Sequence, residues 1–100
     1  HNIRLDEAVA LLEKALKLSP NDPFILDSMG WAQYRMGKLA EAAEYLQRAF
    51  SVRPDPEIAA HLGEVLWAQG KRVEAHQLWQ NSLTSSPKNQ ALLDVMAKFK

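Results

Sequence analysis

The chain repeats itself, and the length of that repeat limits what it can fold into more than any other property. Pro20, Pro54 and Pro87 close three passages that match one another upstream, spaced 34 and then 33 residues apart. The same offsets carry Glu7 to Glu41 to Glu74, Ala8 to Ala42 to Ala75, and Leu16 to Phe50 to Leu83. Gly30 maps onto Gly63, and Gly37 onto Gly70. A period in this range marks stacked supersecondary units, none of which can bury its apolar face alone. Solenoids of this kind work by presenting a surface, so the repeat points to binding rather than catalysis.

Within each passage the shorter period is helical. From Ile3 to Leu18, apolar side chains fall at Leu5, Ala8, Val9, Leu12, Ala15 and Leu16, with Arg4, Glu7, Glu13, Lys14 and Lys17 outside the stripe. Ser19-Pro20-Asn21-Asp22-Pro23 then stops one helix and starts another. Asp22 is placed to cap free amides, and Pro23 suits the first helical position because it has no N–H to lose. The second helix is expected to run to about Met36, where Gly37 takes the left-handed conformation that ends it. Leu39 to about Val52 reads as a third amphipathic segment. Arg53-Pro54-Asp55-Pro56 repeats the punctuation, and helices follow at about 56–69 and 72–85 around Gly70-Lys71. Ser86-Pro87-Lys88-Asn89 introduces a last helix, with Leu92, Leu93, Met96 and Phe99 expected on one side and Gln90, Asp94, Lys98 and Lys100 on the other. No segment alternates with period two, so the fold class is all-α.

Two complete units emerge, 23–55 and 56–89. In each, a first helix carries Met29-Gly30 or Leu62-Gly63, and seven residues after that Gly comes a turn Gly, Gly37 or Gly70. Five residues on stands a small Ala (Ala42, Ala75), and twelve beyond it the closing Pro (Pro54, Pro87). Gly30 and Gly63 allow two helices to approach closely, Ala42 and Ala75 remove bulk opposite, and Leu46 and Trp79 fill the space between neighbours. Trp79 is therefore expected in the core.

This set of positions resembles the tetratricopeptide repeat family. The resemblance implies a right-handed α-α superhelix: residues 3–20 as the second helix of a half repeat, two full repeats at 23–55 and 56–89, and a terminal capping helix at 90–100. Leu26 and Ala59 depart from the usual Trp of the first helix, Gln33 and Leu66 from the usual Tyr, and Ser82 from the last small Ala. More narrowly, Ile25–Trp31 and Asp55–Trp67 look like the C-terminal repeats of proteobacterial outer-membrane tetratricopeptide lipoproteins. Members of that group include adaptors for a periplasmic carboxy-terminal processing protease and its cell-wall hydrolase substrates. That resemblance implies a periplasmic or outer-membrane-associated location, with a cytoplasmic scaffold as the alternative. The start at His1, close to a helical pattern, reads as a segment of a longer protein.

Composition narrows the partner classes. The 12 basic and 12 acidic residues are scattered without a run of either sign and give no net charge. A nucleic-acid module normally carries a basic stripe to neutralise phosphates, so nucleic acid is not expected as a partner. No apolar run approaches the ~20 residues that span a bilayer, so membrane insertion by this segment is not expected. The absence of cysteine removes disulfides and thiolate metal sites. His1, His61 and His76 lack metal-ligand spacing, and no nucleophile elbow or phosphate loop is present. No cofactor and no catalytic residues are expected. His61 and Glu64, one helical turn apart, read as a surface pair.

In the family, the first helices of successive repeats line a concave peptide-binding face. Carried over, the inward positions are Phe24, Asp27, Trp31, Tyr34 and Arg35 in the first repeat, and Glu57, Ala60, Glu64, Trp67 and Ala68 in the second. Helical spacing supports the first set independently, since it forms a face distinct from Leu26, Met29, Gly30 and Gln33. Trp31, Tyr34 and Trp67 then read either as a ligand-binding wall or as packing against adjacent repeats. The carboxylate clamp of the chaperone-binding members is missing, because Asp27, Trp31, Ala60 and Glu64 occupy its places. An extended segment with apolar and basic side chains fits better than an acidic tail. The competing reading is a structural spacer or self-association segment, with Leu5, Val9, Leu12 or Leu16 exposed on the leading helix.

Overall fold

The proline punctuation delimits six helices in the computed structural model, which describes residues 4–100. They are α1 (Leu5–Leu18), α2 (Pro23–Arg35), α3 (Leu39–Val52), α4 (Pro56–Ala68), α5 (Arg72–Ser85) and α6 (Gln90–Lys98), and no strand occurs among the described residues. His1, and Ile3 as the expected start of the first stripe, lie outside them. Helices α2 and α3 form one antiparallel hairpin and α4 and α5 a second. The chain stacks so that α1 rests on α2, α3 on α4, and α2 also touches α4, while α6 lies chiefly on α4 and less on α5.

Local chemistry accounts for the boundaries. Asp22 Oδ1 accepts from the Phe24 and Ile25 amides at 2.9 and 3.2 Å, while Asp55 Oδ1 accepts from the Glu57 amide alone at 2.8 Å. Pro23 and Pro56 occupy the first helical positions. Asn89 caps α6 by accepting from the Leu92 amide at 3.0 Å. The turns inside both hairpins are one motif built twice. Gly37 and Gly70 take φ of +82° and +86°, and each donates its N–H three residues back, to Tyr34 and Trp67. The following lysines, Lys38 and Lys71, donate to Gln33 and Leu66, completing a Schellman closure of α2 and α4.

Each hairpin is locked at the glycine inside its first helix. A Cβ placed on Gly30 would lie 2.6 Å from Leu46 Cγ and 3.2 Å from the Ala42 carbonyl oxygen. On Gly63 it would lie 1.9 Å from Trp79 Nε1. The large residue of the second helix therefore occupies the notch that the glycine leaves in the first. Trp79, Leu46, Ala42 and Ala75 are fully buried. Burying an indole of this kind contributes about 4–6 kcal/mol by area, an upper estimate. Phe50, half-buried, touches all three apolar clusters: Leu26 with Ala49 and Ile58, Ala42 with Leu46, Leu62 and Val65, and the α4–α6 group around Trp79.

The ends of the stack differ from expectation. In α6 the buried residues are Leu92 and Val95, backed by Ala91, Met96 and Phe99, whereas Leu93 is exposed. The positions 92, 95, 96 and 99 follow the i, i+3, i+4, i+7 rule that the stripe containing Leu93 broke. On α1 no residue is buried; Leu5, Val9, Leu12 and Leu16 are half-covered, and the strongly exposed apolar side chains are Leu11 (67%) and Leu18 (87%).

Candidate functional site

Stacking α2, α4 and α6 side by side leaves a shallow groove of about 260 Å³ between them. Ala60, Ala91 and Val95 give it an apolar floor, Trp31 forms a wall, and His61, Glu64, Asp94 and Lys98 complete the lining. A neighbouring cleft of about 300 Å³ opens between α1 and the α2/α4 pair, lined by Leu5, Leu12, Asp27, Arg35 and the same Trp31 and His61. Trp31 thus borders both.

The wall is held by contacts between helices. Trp31 stacks on His61 with ring centroids 4.2 Å apart and planes 26° apart, and tilts against Tyr34 at 4.9 Å. These offset and tilted geometries suit the ring quadrupoles. His61 Nδ1 lies 2.9 Å from Asp27 Oδ1, a hydrogen bond in which an Nδ1–H donates to the carboxylate. Tyr34 donates its hydroxyl to Glu64 Oε2 at 3.1 Å. Partial burial, then the Glu64 charge and this hydrogen bond, raise the Tyr34 pKa above its ordinary value near 10. Two cross-links therefore join α2 to α4, Asp27–His61 and Tyr34–Glu64, with Trp31 between them. The pairing of His61 with Glu64 that their spacing suggested gives way to pairing of each with α2.

The inward residues do not share one fate. Asp27, Trp31, Tyr34 and Glu64 come together in this cluster, and Arg35 stands exposed at the margin of the α1-side cleft. Phe24 lies elsewhere, more than half exposed at the start of α2 with the Arg53 guanidinium 5.4 Å over its ring. Trp67 is half-buried among Trp79, Phe99 and His76, with centroids at 6.1, 5.6 and 5.3 Å, and Arg72 covers it at 4.9 Å. It lines a separate cleft with Arg72, Val73, His76, Gln77 and Gln80. Ala60 is buried beneath the groove, while Glu57 and Ala68 are exposed.

Five contributors escaped the sequence reading: His61 in its groove role, and Ala91, Asp94, Val95 and Lys98 on α6. The signal for His61 was available, because it follows Asp27 by 34 residues, one more than the offset between Gly30 and Gly63. Nothing in the helical period showed that α6 would close the groove.

Glycines in the notches, twin Schellman turns and stacked hairpins together describe one architecture. Residues 4–65, more than half of the chain, match the tetratricopeptide repeat family. The chain belongs to that family. A TPR repeat-containing protein of Pseudomonas aeruginosa is 61% identical over 61 residues, which are 61% of this chain and 10% of that protein. Protein arginine N-methyltransferase 9 of Homo sapiens is 40% identical over 52 residues, 52% of this chain and 6% of the enzyme. The chain therefore spans about a tenth or less of the length of these relatives. Among solved structures, a thermophilic TPR protein of Thermus thermophilus superposes with a TM-score of 0.84 at 24% identity, over 95% of this chain and 47% of that one. MamA AMB-1 superposes with a TM-score of 0.75 at 21% identity, over 91% of this chain and 50% of its own. These likenesses establish the tetratricopeptide superhelix. No helix among the described residues is long and apolar enough to cross a membrane. Tetratricopeptide repeats are typically non-catalytic modules that bind proteins or peptides.

Proposed function

We propose that this chain is a non-enzymatic interaction module that binds a peptide or protein segment on the face formed by α2, α4 and α6. The observation that carries the reading is Trp31, a half-buried aromatic fixed by His61 and Tyr34 at the edge of an apolar floor. Aromatic anchors held rigid before binding lose little entropy when a partner arrives, and they dominate interface energetics. In this reading α2/α3 and α4/α5 are the two whole repeats, α1 is the second helix of a preceding one, and α6 caps the stack. The finer reading places the module in a bacterial envelope lipoprotein that brings a periplasmic protease to its substrates. The resemblance of Ile25–Trp31 and Asp55–Trp67 supports it.

Affinity capture from bacterial envelope extract, comparing the native chain with Trp31→Ala, tests both levels. Helicity is expected to survive the substitution, and captured proteins to be lost. Retention of the same proteins by a folded Trp31→Ala variant would remove the groove from the mechanism. A processing protease among the lost proteins supports the adaptor reading; its absence counts against that reading. Exposed Leu11 and Leu18 on a helix that buries no residue favour self-association as a second reading. Sedimentation at rising concentration tests it, and a strict monomer would eliminate it.

A further inference from the structure

The groove between α2, α4 and α6 has a charge as well as a shape. Two carboxylates stand on its lining, Glu64 from α4 and Asp94 from α6. The contacts made by both come from neutral donors. Glu64 accepts from the Tyr34 hydroxyl at 3.1 Å and Asp94 from Gln90 Nε2 at 2.7 Å. Lys98, the cation on the same lining, holds its ammonium 5.2 Å over the Phe99 ring and makes no ion pair with Asp94 within 4 Å. Hydrogen bonds from neutral groups orient a carboxylate without cancelling its charge, so the groove is acidic although the chain as a whole is neutral. Between the carboxylates lies the apolar floor of Ala60, Ala91 and Val95 beside the Trp31 ring. At about 260 Å³ the space falls below the ~300–1,000 Å³ of small-molecule sites and suits one long side chain.

We propose that this groove selects a segment bearing a Lys or Arg side chain. Its aliphatic stem lies along Trp31, Ala60 and Val95, and its cationic head meets Glu64 and Asp94. Long basic side chains carry apolar stems and charged tips, which matches an apolar floor with an acidic rim. The inference rests on the groove reading above and adds the class of residue recognised.

The test is selection from a random dodecapeptide library displayed on phage against the full 100-residue chain, followed by affinity measurement with the selected synthetic peptides. Lys or Arg is expected to be enriched at one position beside an apolar residue. Replacing that residue by norleucine, which keeps the stem and removes the charge, is expected to weaken binding about tenfold. Glu64→Gln with Asp94→Asn should abolish the preference for Lys over norleucine. Both substitutions keep an acceptor for Tyr34 and Gln90, and Glu41→Gln with Glu44→Gln on α3 controls for the overall charge change. Rising salt should narrow the tenfold gap. Enrichment of acidic residues, or equal affinity for the Lys and norleucine peptides, overturns the charge selection while leaving the groove standing if Trp31→Ala still abolishes binding. Selection of no peptide sensitive to Trp31→Ala overturns both.

Discussion

The α2/α3 and α4/α5 hairpins carry the same notch and fill it with different side chains. In the first, Leu46 sits over Gly30; in the second, the indole of Trp79 sits over Gly63 and donates Nε1–H to the Ala60 carbonyl at 3.4 Å. The backbone around both is the same down to the Schellman turn. A shared backbone register thus tolerates an aliphatic or a bicyclic filler, provided the position opposite carries no Cβ. The fillers differ in reach. Leu46 stays within the cluster of Ala42, Leu62 and Val65, while Trp79 also meets Leu92 and Val95 of α6 and Phe99 just after it, and connects the second hairpin to the end of the stack.

The comparison breaks most visibly if the fillers are removed. Trp79→Ala is expected to cost about 3–5 kcal/mol and Leu46→Ala about 2–5, with the Trp79 variant also loosening α6. Urea denaturation gives the totals, and hydrogen exchange on α6 amides separates the variants. Equal protection of α6 in both would contradict the wider reach assigned to Trp79.

Filling the notches comes next. Gly63→Ala places a methyl against a rigid, fully buried ring and is expected to destabilise by about 1–3 kcal/mol. Gly30→Ala meets a Leu side chain with freer rotation and should cost less. A thermal melt of each variant ranks them, and the reverse order would show that the Trp79 ring moves more easily than Leu46.

Caps sharpen the contrast at a smaller scale. Asp22 serves two amides and Asp55 one, so within the usual range of about 0.5–2 kcal/mol Asp22→Ala should fall higher than Asp55→Ala. Chemical denaturation of the single variants and the double variant measures the difference.

The smallest effect is at Tyr34, which has no equivalent in the second hairpin because Trp67 stands in its place. Its pKa is raised in the folded state, so folding favours the protonated hydroxyl. That contribution is complete below the ordinary value near 10 and is lost as pH rises through the folded value. Stability above pH 10 should therefore fall more steeply in the native chain than in Tyr34→Phe, read from denaturation midpoints at stepped pH. Parallel curves would remove the hydroxyl from the α2–α4 cross-link.

Local rules account for what could be read in advance. Gly30 fits a close helix approach, Gly37 a left-handed turn, and Asp22 with Pro23 supplies a cap and a first helical residue that needs no N–H. Trp79 was legible as core for the same reason: its repeat position faces the partner helix. The site was less legible. His61 and Glu64 are neighbours along α4, yet the partners they take, Asp27 and Tyr34, belong to α2, two helices earlier in the chain. Intrahelical spacing carries no information about which side chains of adjacent hairpins meet. Trp67 illustrates the same gap, since Tyr34 and Trp67 share a repeat position, yet Tyr34 meets Trp31 and Glu64 while Trp67 packs against Phe99. Leu93 failed for a simpler reason, a stripe drawn one residue off the helical period.

Three short links join the two hairpins to each other and to the flanking helices α1 and α6. Ser19–Asp22 and Ser86–Asn89 each have four residues and close with an i+3 hydrogen bond, at 3.2 and 3.1 Å, whereas Arg53–Asp55 has three and closes with an i+2 bond at 2.7 Å. The hairpins on either side are sealed by their own glycine turns, so the link acts as a spacer of fixed gauge between two prefabricated parts. One residue more at 53–55 would turn the second part against the first without altering a side chain in either, and would carry His61 away from Asp27 and Glu64 away from Tyr34. The shape of the α2, α4 and α6 face is set partly by a length of backbone that lies outside it.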